Sequence, residues 1–174
     1  LHTLFPYTTL FRSLFIKTPN TRNGHDGSVV QPTGERLQPG PALGVVIGKS
    51  ASRVSVENAM AHVAGYTIVN EFSLPEDSYY RPAVKARCRD GFCALGPELV
   101  GRDQIDNPNQ LSLKLFVNGE LRQQNSTANW VRDIPQLIAE ISEFMTLHEG
   151  DVLITGTPER SEEHTSELQS HAAS

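Results

Sequence analysis

Three carboxylates, Glu71, Glu76 and Asp77, fall inside the stretch NEFSLPEDSYYRP (70–82) of a 174-residue chain whose net charge is only −5. Carboxylates this close can hold a hard divalent cation, divide acid and base work between them, or solvate a loop. Spacing alone leaves all three open. Just downstream, RPAVKARCRDG (81–91) places Arg81, Lys85, Arg87 and Arg89 within nine residues. On an extended strand Lys85, Arg87 and Arg89 would share one face. Such a row either lies against water or grips anions, since a guanidinium can take a carboxylate through two parallel hydrogen bonds. The two cysteines, Cys88 and Cys93, are too few for a disulfide scaffold or a structural zinc site. They read as free thiols of a reducing cytoplasm, able to pair only under oxidation.

The length suits about one domain. The acidic balance argues against a nucleic-acid partner, which calls for a basic face. No apolar run approaches the roughly 20 residues of a membrane helix, and LHTLFPYTTLFRS has neither the basic start nor the small-residue cleavage site of a signal peptide. The two ends stand apart from the rest. TLFPYTTLFRS (3–13) and RSEEHTSELQS (160–170) read as translated sequencing adapters, and read back into codons Leu10–Ser13 and Arg160–Glu163 are reverse complements of each other. Residues 1–13 and 160–174 are therefore expected to be non-native tails around a real segment, 14–159, and take no part in fold reasoning.

The elements that must position the charged residues follow from pattern. Residues 14–41, rich in Gly, Pro, Asn and Thr, read as an irregular arm. ALGVVIGK (42–49) reads as a buried strand. SVENAMAHVAGY (55–66) reads as a helix, with Ser55 as its cap, Glu57 in its first turn and Gly65 ending it; YTIVNEF (66–72) reads as the next strand. LSLKLFVNGELRQQ (111–124) is a hairpin turning at Asn118-Gly119, with Leu111, Leu113, Leu115 and Val117 on one face. RDIPQLIAEISEFM (132–145) is the clearest helix, capped by Asp133 with Pro135 in its first turn. Its apolar stripe is Ile134, Leu137, Ile138, Ile141, Phe144 and Met145. EGDVLITGTP (149–158) is a turn, a strand and a Gly/Thr/Pro loop. The class is mixed α/β, mainly β, with two short helices.

LFIKTPNT, VVIGKSASRVSVENAMAHVAGYTIVNEFS, LFVNGELRQQNST and LHEGDVLITGTP, in that order, resemble the fumarylacetoacetate hydrolase family over nearly all of 14–159. SLPEDSYYRPAVKARCRDGFC narrows the resemblance to the N-terminal half of two-part members that act in 4-hydroxyphenylacetate catabolism. The resemblance implies a β-sandwich roll. It implies decarboxylation or isomerisation of a 2-oxo or 2-hydroxy-diene di- or tricarboxylate, and a homologous second half or subunit as partner. A catalytically silent structural half, or a C–C hydrolase, are the other functions it allows. The family pattern continues past GTP with further strands, so a chain stopping there is expected to expose strand edges and aggregate.

Metal-dependent members hold Mg²⁺ or Mn²⁺ with a Glu-x-Glu pair before the VVIGK strand and an Asp after the following helix. Aligned on those motifs, the pair falls on Gly40 and Ala42 and the third position on Glu71. One carboxylate of three remains, a methylene longer than the usual Asp, so Glu71 is expected to make only a weak Mg²⁺ site and the ion to be missing. By the same resemblance Arg87 stands at an active-site Lys position with Lys85 nearby, Arg81 and Arg89 bind substrate carboxylates, Thr157 and Gly156 contact the substrate in the TGTP loop, and His25 borders the pocket as a candidate acid or base. An arginine stays protonated, so Arg87 suits holding an enolate rather than acting as a base. His62 is expected to pack on its helix and His148 to lie solvated in a turn.

Overall fold

In the computed structural model, residues 14–75 and 83–156 are described. Short strands dominate, linked by single helical turns and one full helix. After a 3₁₀ turn at Pro19–Thr21 come β1 (Arg22–Asn23), β2 (Pro41–Ile47), α1 (Val56–Ala59), β3 (Val63–Glu71), α2 (Val84–Arg87), β4 (Cys93–Leu95), β5 (Val100–Gly101), β6 (Ser112–Val117), β7 (Glu120–Ser126), α3 (Ile134–Phe144) and β8 (Val152–Ile154). The main sheet runs β1-β4-β3-β2-β8, with β5 also paired to β3, while β6 and β7 form a separate two-stranded sheet. All described pairings are antiparallel except β1 with β4.

β2 is central and covered on both sides, which is why it reads as an unbroken apolar run rather than an alternation. Its Leu43, Val45 and Ile47 face Ile134, Ile138 and Ile141 of α3, joined by Val63, Tyr66 and Leu153. The opposite face gathers Ala42, Val69 and Cys93, with Leu95, Val152 and Ile154 against them. α3 is held at its start as its sequence implies. The Asp133 carboxylate accepts from Gln136 N at 2.9 Å, and the Gln136 side chain returns the bond to Asp133 N at 3.3 Å. Phe144, expected in the buried stripe, is 69% exposed. At 100° per residue it lies about 80° from the stripe's centre, on the last turn where the sheet no longer faces the helix. The hairpin turns at Asn118 and Gly119, both at positive φ, 52° and 82°, as a two-residue type I′ loop demands. Leu113 is buried and Leu115 and Val117 half-buried, as the alternation implies.

The expected helix over 55–66 is mostly absent. One α turn and a 3₁₀ turn at Met60–His62 lead directly into β3, which starts at Val63 rather than Tyr66. Ser55 Oγ accepts from the Asn58 side-chain amide instead of capping the backbone. Val63 and Gly65 pair with Ile47 and Val46, and Gly65 also pairs with Gly101 on its other side, so sheet pairing overrides the local helical signal. Gly65 does not end a helix; it admits β5, because a Cβ there would stand 2.1 Å from Val100 O. Gly65→Ala is expected to cost about 1–3 kcal/mol through overpacking, read as a lowered melting temperature; a variant melting with the wild type would mean that β5 moves aside freely.

Candidate functional site

The two strands expected to carry metal ligands do meet, and in the register that matters. Glu71 N donates to Gly40 O at 2.9 Å, and Ala42 lies opposite Val69. Residues directly opposite in an antiparallel pair point to the same face, so positions 40, 42 and 71 converge on one face at one end of the sheet. β8 ends beside the same end of β2, where Thr155 donates through both N and Oγ1 to Leu43 O, at 3.1 and 2.8 Å. Gly156 follows with φ at 80°. Thr157 lies outside the described residues, as do Glu76, Asp77 and Arg81.

Glu71 is held by two cations. Lys17 Nζ is 2.8 Å from its Oε1 and Arg87 Nη1 is 3.5 Å from the same oxygen. The three side chains are only 12–16% exposed. Lys17 Nζ also donates to Arg87 O at 2.6 Å, and the Arg87 guanidinium lies 4.4 Å from the centre of the Phe15 ring, within cation–π range. The first arm supplies both contacts. Phe15 and Lys17 turn inward while Leu14, Ile16 and Thr18 between them are exposed. The arm is stitched to the turn after α2 by Asn20, whose amide nitrogen donates to Asp90 Oδ1 and Cys88 O, and whose carbonyl accepts from Gly91 N.

Lys17 was missed by residue-pattern reading, although the alternation in LFIKT carries the signal: Phe15 and Lys17 are two residues apart and so share a face of an extended segment. The expected basic strand is instead the helical turn α2, so Lys85 and Arg87 do not share a face. Lys85 is exposed, and Arg89 Nε donates to Lys85 O at 3.0 Å. A strand there would lose the bond from Leu74 N to Ala86 O that ties the turn to the end of β3. His25 belongs to a cleft of about 240 Å³ lined also by Asp26, Ile68, Asn70 and Phe72. Ile68 and Asn70 alternate with Val69 and Glu71, so this cleft opens on the opposite face of β3 from the Glu71 carboxylate. The structure brings Glu71 and Arg87 together and does not bring His25 to them. His62 is half-buried with Nδ1 near the Lys49 and Ser50 carbonyls, and His148 is exposed.

The residues present do not fit a divalent ion. Gly40 and Ala42 bring no side-chain donor, the remaining carboxylate already faces an ammonium and a guanidinium, and among the described residues no three His, Cys, Asp or Glu side chains cluster. What the arrangement offers is an enclosed spot with one more positive than negative charge, suited to an oxyanion. Cys93, opposite Glu71 on β4 and 3% exposed, is a free thiol whose pKa is raised, chiefly by burial, with Lys17 opposing and Glu71 reinforcing the shift. Cys88 is also free, and half-buried. No helix among the described residues is long and apolar enough to cross a membrane.

Sequence and structure comparisons agree with this geometry. The family model for the fumarylacetoacetate hydrolase C-terminal domain matches residues 5–172. The 4-hydroxyphenylacetate degradation bifunctional isomerase/decarboxylase of Salmonella dublin is 45% identical over 148 residues, 83% of this chain but 34% of the relative's length. The crystal structure of maleylpyruvate hydrolase from Sphingobium sp. SYK-6 with manganese(II) and pyruvate superposes with a TM-score of 0.76 at 35% identity, covering 83% of this chain and 53% of that one. That of 5-carboxymethyl-2-hydroxymuconate delta-isomerase from Mycobacterium smegmatis gives 0.77 at 33% identity, with 83% and 57% covered. The chain thus spans about a third of that Salmonella relative and little more than half of the two solved structures. With matching motifs, matching sheet and a family model covering almost every residue, the chain belongs to the fumarylacetoacetate hydrolase family.

Proposed function

We propose that this chain is part of a decarboxylase or isomerase acting on a 2-oxo or 2-hydroxy-diene di- or tricarboxylate in 4-hydroxyphenylacetate catabolism, in a reducing cytoplasm. The observation that carries the reading is the pairing of Arg87 and Lys17 around Glu71 at the end of the sheet where the TGTP loop begins. Both reactions pass through an enolate, and fixed cations lower its energy most where water is largely excluded. Arg87 holds the developing negative charge and Glu71 moves the proton. Arg81, Lys85 and Arg89, on and around the turn that carries Arg87, take the distal carboxylates of the substrate, and Gly156 and Thr157 take the carboxylate nearest the reacting carbon. His25 has no role in the reaction as proposed, because its cleft opens on the other face. A homologous second half or subunit completes the protein, in keeping with the share of its relatives that the chain spans.

The missing donors at Gly40 and Ala42 favour a second reading, a silent half that stabilises a metal-bearing sister. Proton–deuterium exchange at the carbon beside the keto group of a 2-oxo-dicarboxylate, followed by NMR on the intact protein with and without EDTA, separates the two. Exchange that persists in EDTA supports the enzyme reading. Exchange abolished by EDTA, or none at all alongside stabilisation of the sister half, supports the silent one.

A further inference from the structure

Lys17 is a poor candidate for a purely structural lysine. Its ammonium carries three N–H donors, of which one goes to Glu71 Oε1 and one to Arg87 O. The third has no partner among the described residues, although the side chain is only 12% exposed. The ammonium sits on the face where positions 40, 42 and 71 converge, and Gly40 and Ala42 leave that side of Glu71 without competing donors. A carboxylate in such a place needs a cation beside it, because an unpaired buried charge is costly. We propose that Lys17 is the tethered cation of this site: it takes the place beside Glu71 that a divalent ion would need, and its spare N–H meets a carboxylate or enolate oxygen of the ligand. The inference rests on the site's holding a carboxylate-bearing substrate, as proposed above, and goes beyond it in making a lysine from the N-terminal arm the specificity-determining group and in excluding the ion from Glu71.

The probes are oxalate, a dianion with the shape of a pyruvate enolate, and Mn²⁺ alone. Calorimetry on the intact protein in EDTA is expected to show saturable oxalate binding, weakened at least about tenfold by Lys17→Met, the loss of one charged hydrogen bond, and largely kept by Lys17→Arg. Electron paramagnetic resonance in the absence of EDTA is expected to show no Mn²⁺ binding that Glu71→Gln removes. Oxalate binding unchanged in a folded Lys17→Met variant, or absent from the wild type, overturns the proposal. So does a Mn²⁺ site on the wild type abolished by Glu71→Gln, a measurement that needs no change at Lys17 should Lys17→Met fail to fold. Neither readout depends on turnover. A protein that binds oxalate as expected but exchanges no protons sinks the enzymatic reading and leaves this one standing.

Discussion

Arg87→Ala is expected to lower turnover of the intact protein by about 100- to 1000-fold, the usual cost of removing one charged group that meets an oxyanion only as it develops. The effect should fall on kcat more than on KM, because the guanidinium is assigned to the enolate while the distal carboxylates are left to other cations. The fold should survive. Lys17 still pairs with Glu71 at 2.8 Å, and what disappears is a longer 3.5 Å contact and the stack on Phe15. Arg87→Lys keeps the positive charge and should retain activity within about tenfold, since it loses the planar fork but not the electrostatics. Steady-state kinetics of the three proteins, each with a melting curve, provide the check. An Arg87→Ala enzyme as fast as the wild type would remove Arg87 from the chemistry altogether, whatever its effect on stability.

Ile138→Ala is expected to have the largest effect on stability, about 3–4 kcal/mol. Ile138 is fully buried, in one cluster with Leu43, Val45 and Ile47 of the central strand and Ile134 and Ile141 of its own helix. β2 is hydrogen-bonded to strands on both sides and α3 is anchored by its capping box, so neither can close readily over the lost atoms, and the cavity remains. Phe144→Ser on the same helix is the contrasting case. It is larger in side-chain volume but 69% exposed, and should shift stability by no more than about 0.5 kcal/mol. Denaturant titration of both variants, with the slope checked for constancy, distinguishes a real loss of packing from a change in the unfolded chain. Equal midpoints for the two variants would mean that α3 does not pack on β2 as described.

Much of this was readable residue by residue. β2 is announced by an apolar run, α3 by Asp133, Pro135 and its stripe, the hairpin by Asn118-Gly119. Each signal is local, because a cap, a turn or a helical face is decided by residues within a few positions of one another. The fumarylacetoacetate hydrolase motifs carried the family and the fold with them, and the comparisons bear both out. Resemblance also put Glu71 opposite Gly40, which the β2–β3 register shows.

Other features could not be read that way. Val63 and Gly65 carry a helical pattern but join a sheet, because β2 and β5 offer them hydrogen bonds that a helix end could not match. The basic run at 84–87 forms a helical turn rather than a strand, which turns Lys85 to solvent and Arg87 inward. Lys17 reaches a carbonyl 70 residues away, and the Arg87 side chain reaches Glu71 across 16.

By itself, then, the amino-acid order determined the family, the strand-rich class, the best helix and hairpin, and the loss of two carboxylates from positions 40 and 42. Only the tertiary structure decided which cation stands beside Glu71 and which face of β3 His25 lies on. Local preferences act over a few residues, whereas the partner of a buried charge is chosen by whichever distant segment packs against it.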